Sequence, residues 1–333
     1  RDNAFDGCTS LASATFSGNS VLTELGAAAF RGTAALRTAA LPDGITSIGE
    51  SIFEGSGLTS VTLPAGLNTI STSAFRGCVN LTEIVIPATV TDIGDKAFAD
   101  CTNLETVEMS EGVEYLGADA FGNCAKIREI LIPASVMRMG GNPFSNCLGL
   151  TNFGLAAGND SFVIDAAGVL YDANMRTIIF YPSYVTTEVY EMPGTVFELS
   201  ASAFAGSQLK RITIFDNIKA IPAGCFRNSA LLESVTIPAS VTEIGNEAFM
   251  GCAKLNNVVI PVSCASIGNS VFEDCTSLTS FDFGSRNIEL RVGTALFRGC
   301  TALENILLPD GLTALPAYMF ANTGVKSVVI PDS

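Results

Sequence analysis

The sequence contains no histidine and no tryptophan. The absence of histidine excludes Ser-His-Asp and Cys-His nucleophile pairs, His-ligated zinc and imidazole proton transfer. Basic residues are scarce as well, because 18 Lys and Arg stand against 33 Asp and Glu, a formal net charge of −15. Nucleic acids and anionic membrane surfaces both attract positive charge, so this acidic balance argues against either as a partner.

Long apolar runs are also missing, although 48% of the 333 residues are hydrophobic. The apolar segments are short, as in Ile84-Val85-Ile86 before Pro87, so no segment predicts a membrane span. The chain begins at Arg1 without a signal-peptide pattern, and we expect a mature form or a fragment of a longer protein. The apolar content suffices for a large core and excludes a disordered chain.

Phenylalanine recurs at a spacing of 22 to 25 residues, interrupted once by a gap of 60. A period of this size predicts a solenoid, in which stacked coils bury a continuous core. In residues 81–103, an alternating strand ends at Pro87, Gly94 occupies a turn that needs small size or positive φ, and Phe98 closes the coil. The thirteen anchor positions are Phe5, Phe30, Phe53, Phe75, Phe98, Phe121, Phe144, Phe204, Phe226, Phe249, Phe272, Phe297 and Phe320.

The repeated pattern LxxIxIPxxVxxIGxxAFxxCxx resembles the leucine-rich repeat of the BspA-like family of surface proteins, over nearly the whole chain. The resemblance implies an extracellular or surface-anchored protein, commonly bacterial, whose signal or anchor lies outside this chain. It implies adhesive or protein-binding roles and no catalytic residues. We therefore predict a β-rich, right-handed leucine-rich repeat solenoid of the α/β class, with about 13–14 coils and one parallel β-sheet, as a single domain over residues 1–333.

Eight of the ten cysteines lie three residues after an anchor phenylalanine. Other coils place serine or threonine in this slot, which indicates a small, slightly polar buried group. We therefore predict that all ten cysteines are small core residues, most with free thiols, although neighbouring coils lie close enough for disulfides. No CxxC pair is present, and we predict neither a metal site nor a cofactor. The eight are Cys8, Cys78, Cys101, Cys124, Cys147, Cys252, Cys275 and Cys300.

The gap between Phe144 and Phe204 predicts a β-meander or hairpin insertion over residues 156–186, with short strands at 162–164, 169–171 and 178–181. Tyr171, Tyr181 and Tyr184 fall within it. These rings are candidates for a partner surface, because tyrosine is enriched at interfaces. The alternative is that they pack the hairpins onto the solenoid.

The outward side chains of the predicted sheet provide the second candidate surface. They are mostly small and neutral, with an acidic patch at Glu83, Glu108 and Glu129 and a basic residue, Arg211, in a later coil. Exposed solenoid faces often bind partners over an extended area. Ordinary solvation of a protein surface explains the same charges without a partner.

Three functions stay open at this point. The first is a cell-surface module for adhesion or protein–protein interaction with a host or neighbouring cell, and the second is a carbohydrate-binding module that uses the tyrosine-rich segment. The third is a passive spacer of a larger surface protein, since neither end of the sequence shows a polar cap. No local motif places a carboxylate pair or a Ser-Lys pair in a pocket, so we predict that the protein is not an enzyme.

Overall fold

The structure, a computed structural model, describes residues 1–16, 20–284, 290–310, 312 and 314–332. It divides into two compact units, Arg1–Gly168 and Val169–Ser333. Both units are stacks of short β-strands and tight turns, and the described ranges contain no helix. The predicted β-rich leucine-rich repeat solenoid is confirmed, with about 13 coils. The α/β label is a minor error, since turns rather than helices connect the strands.

The first unit contains two rows of parallel strands. The odd-numbered strands β1 to β11 form one six-stranded sheet. The even-numbered strands are longer and pair in parallel as β2 with β4, β6 with β8 and β10 with β12. In chain order the strands are β1 (Glu24–Leu25), β2 (Thr38–Ala40), β3 (Ser47–Ile48), β4 (Ser60–Thr62), β5 (Thr69–Ile70), β6 (Glu83–Ile86), β7 (Asp92–Ile93), β8 (Thr106–Met109), β9 (Tyr115–Leu116), β10 (Glu129–Ile132), β11 (Arg138–Met139), β12 (Asn152–Leu155) and β13 (Phe162–Ile164).

The second unit repeats this arrangement. The longer strands β16, β18, β20, β22 and β24 form one sheet, and β19, β21, β23 and β25 form another. The predicted single parallel sheet is therefore corrected to two rows of parallel strands in each unit. In chain order the strands are β14 (Leu170–Asp172), β15 (Thr177–Phe180), β16 (Val189–Tyr190), β17 (Glu198–Leu199), β18 (Arg211–Thr213), β19 (Ala220–Ile221), β20 (Ser234–Thr236), β21 (Glu243–Ile244), β22 (Asn257–Val259), β23 (Ser266–Ile267), β24 (Ser280–Asp282), β25 (Arg291–Val292), β26 (Asn305–Leu307) and β27 (Ser327–Val329).

The residue ranges of strands β13, β14 and β15 are close to the three strand ranges predicted for the insertion. β14 and β15 form an antiparallel hairpin, and β15 also pairs in parallel with β17, so that Ile178 lies opposite Leu199. Strand β15 thus pairs with the hairpin strand β14 on one side and with the coil strand β17 on the other. That residues 156–186 are one insertion within a single solenoid over residues 1–333 stays a prediction.

The anchor phenylalanines form a stack of rings inside each unit. From Phe5 to Phe144 in the first unit, neighbouring ring centroids lie 5.1 to 5.6 Å apart with nearly parallel planes. From Phe204 to Phe272 in the second unit, the separation is 5.0 to 5.4 Å. Burial of each ring contributes about 1.5–3 kcal/mol relative to exposure, so the stack is a major source of stability.

The backbone turns sharply on both sides of each anchor. Around Phe98, Lys96 and Asp100 have φ values of 55° and 62°, in the left-handed region. Gly94 has an ordinary φ and is required for another reason, since a Cβ there would lie 2.6 Å from the backbone nitrogen of Thr72 in the neighbouring coil. Close packing of coils, rather than positive φ, therefore selects this glycine.

Candidate functional site

The longer strands of the first unit expose one side of their sheets. In β6 and β10 the residues alternate between exposed and buried, so that Ile84 and Ile130 enter the core while Glu83 and Glu129 remain outside. This alternation follows from the two-residue period of a strand. We call the outward side chains of β6, β8, β10 and β12 the acidic sheet face: Glu83, Val85, Thr106, Glu108, Glu129, Leu131, Asn152 and Gly154.

Strand register sets the neighbours on this face. Val85 lies opposite Glu108, and Leu131 lies opposite Gly154. Val85 and Leu131 are 56% and 63% exposed, which is high for large aliphatic side chains. The acidic sheet face therefore combines carboxylates with exposed apolar side chains, and none of its eight residues is a lysine or arginine.

A depression of about 330 Å³ lies on the acidic sheet face. It brings together two of the predicted residues, Glu108 and Glu129, beside Leu131, Asn152 and Gly154. The third predicted residue, Glu83, lines a neighbouring depression with Ser60, Thr62, Val85 and Pro87. The three acidic residues thus share one face but not one depression.

Glu105 also lines the depression, and the sequence reasoning missed it. It precedes β8, outside the alternating strand positions that predicted the exposed face. Its carboxylate lies 3.4 Å from the Nζ atom of Lys126, so its charge already has a partner. Thr82 and Arg128 occupy the same repeat position in the adjacent coils, immediately before the strand. Including this position with the outward strand positions would have identified Glu105.

Arg211, the basic candidate, begins β18 in the second unit and is exposed. It lies opposite Val189 of β16, and its backbone N–H donates to the carbonyl of Glu188. Its predicted contribution to partner binding stays a prediction, separate from the acidic sheet face.

The tyrosine candidates are inside rather than outside. Tyr171 and Tyr181 have no exposed surface, and the hydroxyls of Tyr171 and Tyr190 form a hydrogen bond. The ring of Tyr181 contacts those of Tyr190 and Phe204, with centroids 5.0 and 5.2 Å apart. This burial corrects the expectation that Tyr171 and Tyr181 are available to a partner, because both rings pack into the core that the hairpin shares with the coils of the second unit. Tyr184 is half-buried, and burial raises its pKa.

The cysteine slot forms a column of buried thiols. Cys101 Sγ donates to the Phe75 carbonyl at 3.1 Å, and Cys124 Sγ donates to the Phe98 carbonyl at 3.2 Å, each reaching one coil back. Ser229 Oγ makes the same contact with Phe204 at 2.7 Å. The slot therefore selects a small hydrogen-bond donor, which explains why serine and threonine replace cysteine.

None of the ten cysteines lies in a disulfide in the structure, and nine are buried. Burial raises the pKa of Cys78 to about 11 and those of Cys147 and Cys300 to about 12. Cys8 is exposed, so the expectation that all ten are core residues is wrong for this one. In the described residues, no anchor carbonyl of a preceding coil accepts its thiol.

The described part of the chain lacks two features. It contains no helix that could span a membrane. Nor does it contain a group of three or more cysteine, aspartate or glutamate side chains placed to hold a metal ion.

Stacked coils with a repeated strand, turn and anchor define a leucine-rich repeat solenoid. The family model described as "BspA type Leucine rich repeat region" matches residues 1–104, 23–151, 174–292 and 219–333. These overlapping matches cover well over half of the sequence. The chain belongs to the BspA-type leucine-rich repeat family.

Solved structures with similar folds come from bacterial proteins. A leucine-rich cell surface protein from Faecalibacterium prausnitzii is 25% identical with a TM-score of 0.64, over 92% of this chain and 76% of that one. The pneumococcal vaccine antigen PcpA is 24% identical with a TM-score of 0.62, over 88% and 67%. A leucine-rich repeat protein from Eubacterium ventriosum is 22% identical with a TM-score of 0.62, over 94% and 83%. No curated protein sequence matches this chain.

Proposed function

We propose that this protein is a non-enzymatic binding module at the cell surface, which attaches to a protein on a host or neighbouring cell. The observation that carries the proposal is the acidic sheet face, where exposed Val85 and Leu131 lie among Glu83, Glu108 and Glu129 on a regular row of strands. Apolar side chains supply contact area on such a face, and charges supply orientation and selectivity.

The extracellular location is part of the same proposal. It is supported by family membership and by similarity to the cell surface protein of Faecalibacterium prausnitzii.

A polypeptide fits the acidic sheet face better than the other classes of partner. A nucleic acid would require basic side chains, and the chain has a net charge of −15. A glycan platform would require exposed aromatic rings, and the burial of Tyr171 and Tyr181 removes two of the three tyrosines on which that alternative depended. The exposed aliphatic side chains can supply contact area to a polypeptide, and the carboxylates favour a partner segment of opposite charge.

The proposal is tested by measuring saturable binding of the immobilised chain to a panel of purified extracellular-matrix proteins and mucins. Salt at about 150 mM suppresses weak ionic contacts. The double variant Glu108→Lys/Glu129→Lys reverses two charges on the acidic sheet face. Glu50→Lys/Glu114→Lys changes the net charge equally at exposed residues elsewhere in the first unit and is the matched control.

We expect at least one panel protein to bind wild type and the control alike and to lose about tenfold in affinity for the Glu108/Glu129 variant. Equal binding by both variants would place the interface elsewhere and contradict the proposal. Absence of saturable binding across the panel would also contradict it.

A further inference from the structure

The depression on the acidic sheet face has an asymmetric shape that the sequence pattern alone does not reveal. Gly154 has no side chain, and the opposite residue on β10, Leu131, stands 63% exposed. A Cβ placed on Gly154 would lie 3.6 Å from Leu131 Cδ1, an ordinary van der Waals contact. The result is a notch between strands β10 and β12 with one apolar wall.

Two carboxylates line the same depression, one on β8 and one on β10. Glu108 and Glu129 belong to the same depression, and neither makes an ion pair or a side-chain hydrogen bond to any residue that the structure describes. Glu105, by contrast, has Lys126 as a partner at 3.4 Å. Two carboxylates without a cation therefore lie beside an aliphatic wall.

This pairing matches the two parts of a long basic side chain. Lysine and arginine place their methylene stem along apolar surface while the charged end stays in a polar environment. An arginine guanidinium can in addition donate to a carboxylate through two parallel N–H groups. The two carboxylates would repel an acidic side chain, and a purely apolar side chain would leave them without a cation.

We propose that the notch receives one lysine or arginine side chain of a polypeptide partner, with its stem against Leu131 and its cation between Glu108 and Glu129. This inference rests on the proposed function and specifies its partner as a cationic polypeptide segment. It also assigns Gly154 as the residue that keeps the notch open.

The test selects a phage-displayed random-peptide library on the immobilised full chain and then measures the affinity of the selected peptides for four variants. Gly154→Leu fills the notch and leaves every charge in place. Glu129→Gln removes one carboxylate with little change of shape. Gly194→Leu is the matched control, because its Cβ would meet no atom within 4 Å and it lies in the second unit. Gly154→Ala adds only one methyl group and serves if Gly154→Leu fails to fold.

We expect the selected peptides to share a lysine or arginine at one position, and replacing it with glutamine to weaken binding about tenfold. Gly154→Leu should lose binding to a similar or greater extent, Glu129→Gln should weaken it severalfold, and Gly194→Leu should leave it unchanged. Peptides without this shared basic residue, or binding that survives both Gly154→Leu and Glu129→Gln, would overturn the inference.

The two proposals can fail separately. A panel protein whose binding depends on Glu108 and Glu129 but survives Gly154→Leu and Gly154→Ala would overturn the notch and leave the proposed function standing. A panel protein whose affinity is unchanged by Glu108→Lys/Glu129→Lys would overturn both proposals.

Discussion

The substitution Phe121→Ala tests the ring stack on which each coil depends. Phe121 is fully buried, and its ring stacks on Phe98 and Phe144 with centroids 5.2 and 5.6 Å apart. Removing a buried phenylalanine ring costs about 3–5 kcal/mol of unfolding free energy, because the cavity is refilled only in part. We therefore expect Phe121→Ala to lower the free energy of unfolding of the first unit by that amount.

Phe5→Ala is the matched control, since it makes the same change in the same repeat slot. Phe5 is 43% exposed and stacks on one ring only, that of Phe30 at 5.2 Å. We expect it to cost about 1–2 kcal/mol, in proportion to its smaller buried area. The assay is urea unfolding followed by circular dichroism, with the slope against urea checked for equality between variants. Equal losses for Phe5→Ala and Phe121→Ala would refute the claim that the stacked rings carry the stability of the coils.

Four further predictions concern the thiols and the turns. In native protein only Cys8 should react with a thiol reagent near pH 8, and all ten cysteines should react in denaturant; rapid native labelling of the others would contradict their burial. Burial raises the pKa of Cys78 from 9.0 to about 11. Between these two pH values the folded state keeps a proton on this thiol that the unfolded state loses. The buried neutral thiol therefore contributes its full stability below about pH 9, and this contribution is lost as the pH rises towards 11. Unfolding midpoints measured across this range should fall, and should fall less steeply in Cys78→Ser. Gly117→Ala should lower stability by about 1–3 kcal/mol, since its Cβ would lie 2.4 Å from the backbone of the neighbouring coil, whereas Gly194→Ala should be neutral within about 0.5 kcal/mol. Lys96→Gly should leave the free energy of unfolding unchanged or raise it by up to about 1 kcal/mol, because Lys96 has a φ of 55° and glycine adopts this left-handed conformation without strain. A decrease in the free energy of unfolding, as glycine causes in an ordinary strand, would contradict this prediction.

The repeat was visible in the sequence because its largest residue is also its most regular one. The spacing of the anchor phenylalanines located the coils on both sides of the gap between Phe144 and Phe204, and the slot shared by Cys101, Ser229 and Thr33 predicted a small, slightly polar buried group. A hydrogen bond to an anchor carbonyl supplies the physical reason for that slot: Cys101 and Ser229 donate to the carbonyl one coil back, and Thr33 donates to that of Phe30 in its own coil. Local periodicity was sufficient here because each coil contacts mainly its neighbours.

The sequence pattern did not reveal the second row of strands in each unit, because these strands are too short. Strands such as β7, Asp92–Ile93, contain only two residues, so the alternation that identifies a strand has no room to appear. Their pairing comes from the stacking of coils, where Ile93 lies opposite Ile70 and Leu116. Only the register between coils makes them a sheet.

The candidate site was predictable in part. Alternation along β6, β8 and β10 correctly placed Glu83, Glu108 and Glu129 outside. Composition could not separate exposed from buried tyrosines, since a ring with a polar hydroxyl suits a core and a surface equally well. The notch depends on the register that sets Gly154 against Leu131, which no single repeat contains.

The most direct test of the central claim, that the acidic sheet face is the binding surface, is carboxyl footprinting by carbodiimide labelling and mass spectrometry. The chain is labelled alone and in complex with a saturating panel protein. We predict that Glu83, Glu108 and Glu129 become protected in the complex, while the exposed Glu50 and Glu114 label at the same rate with and without partner. Unchanged labelling of all five residues in a saturated complex would contradict the account.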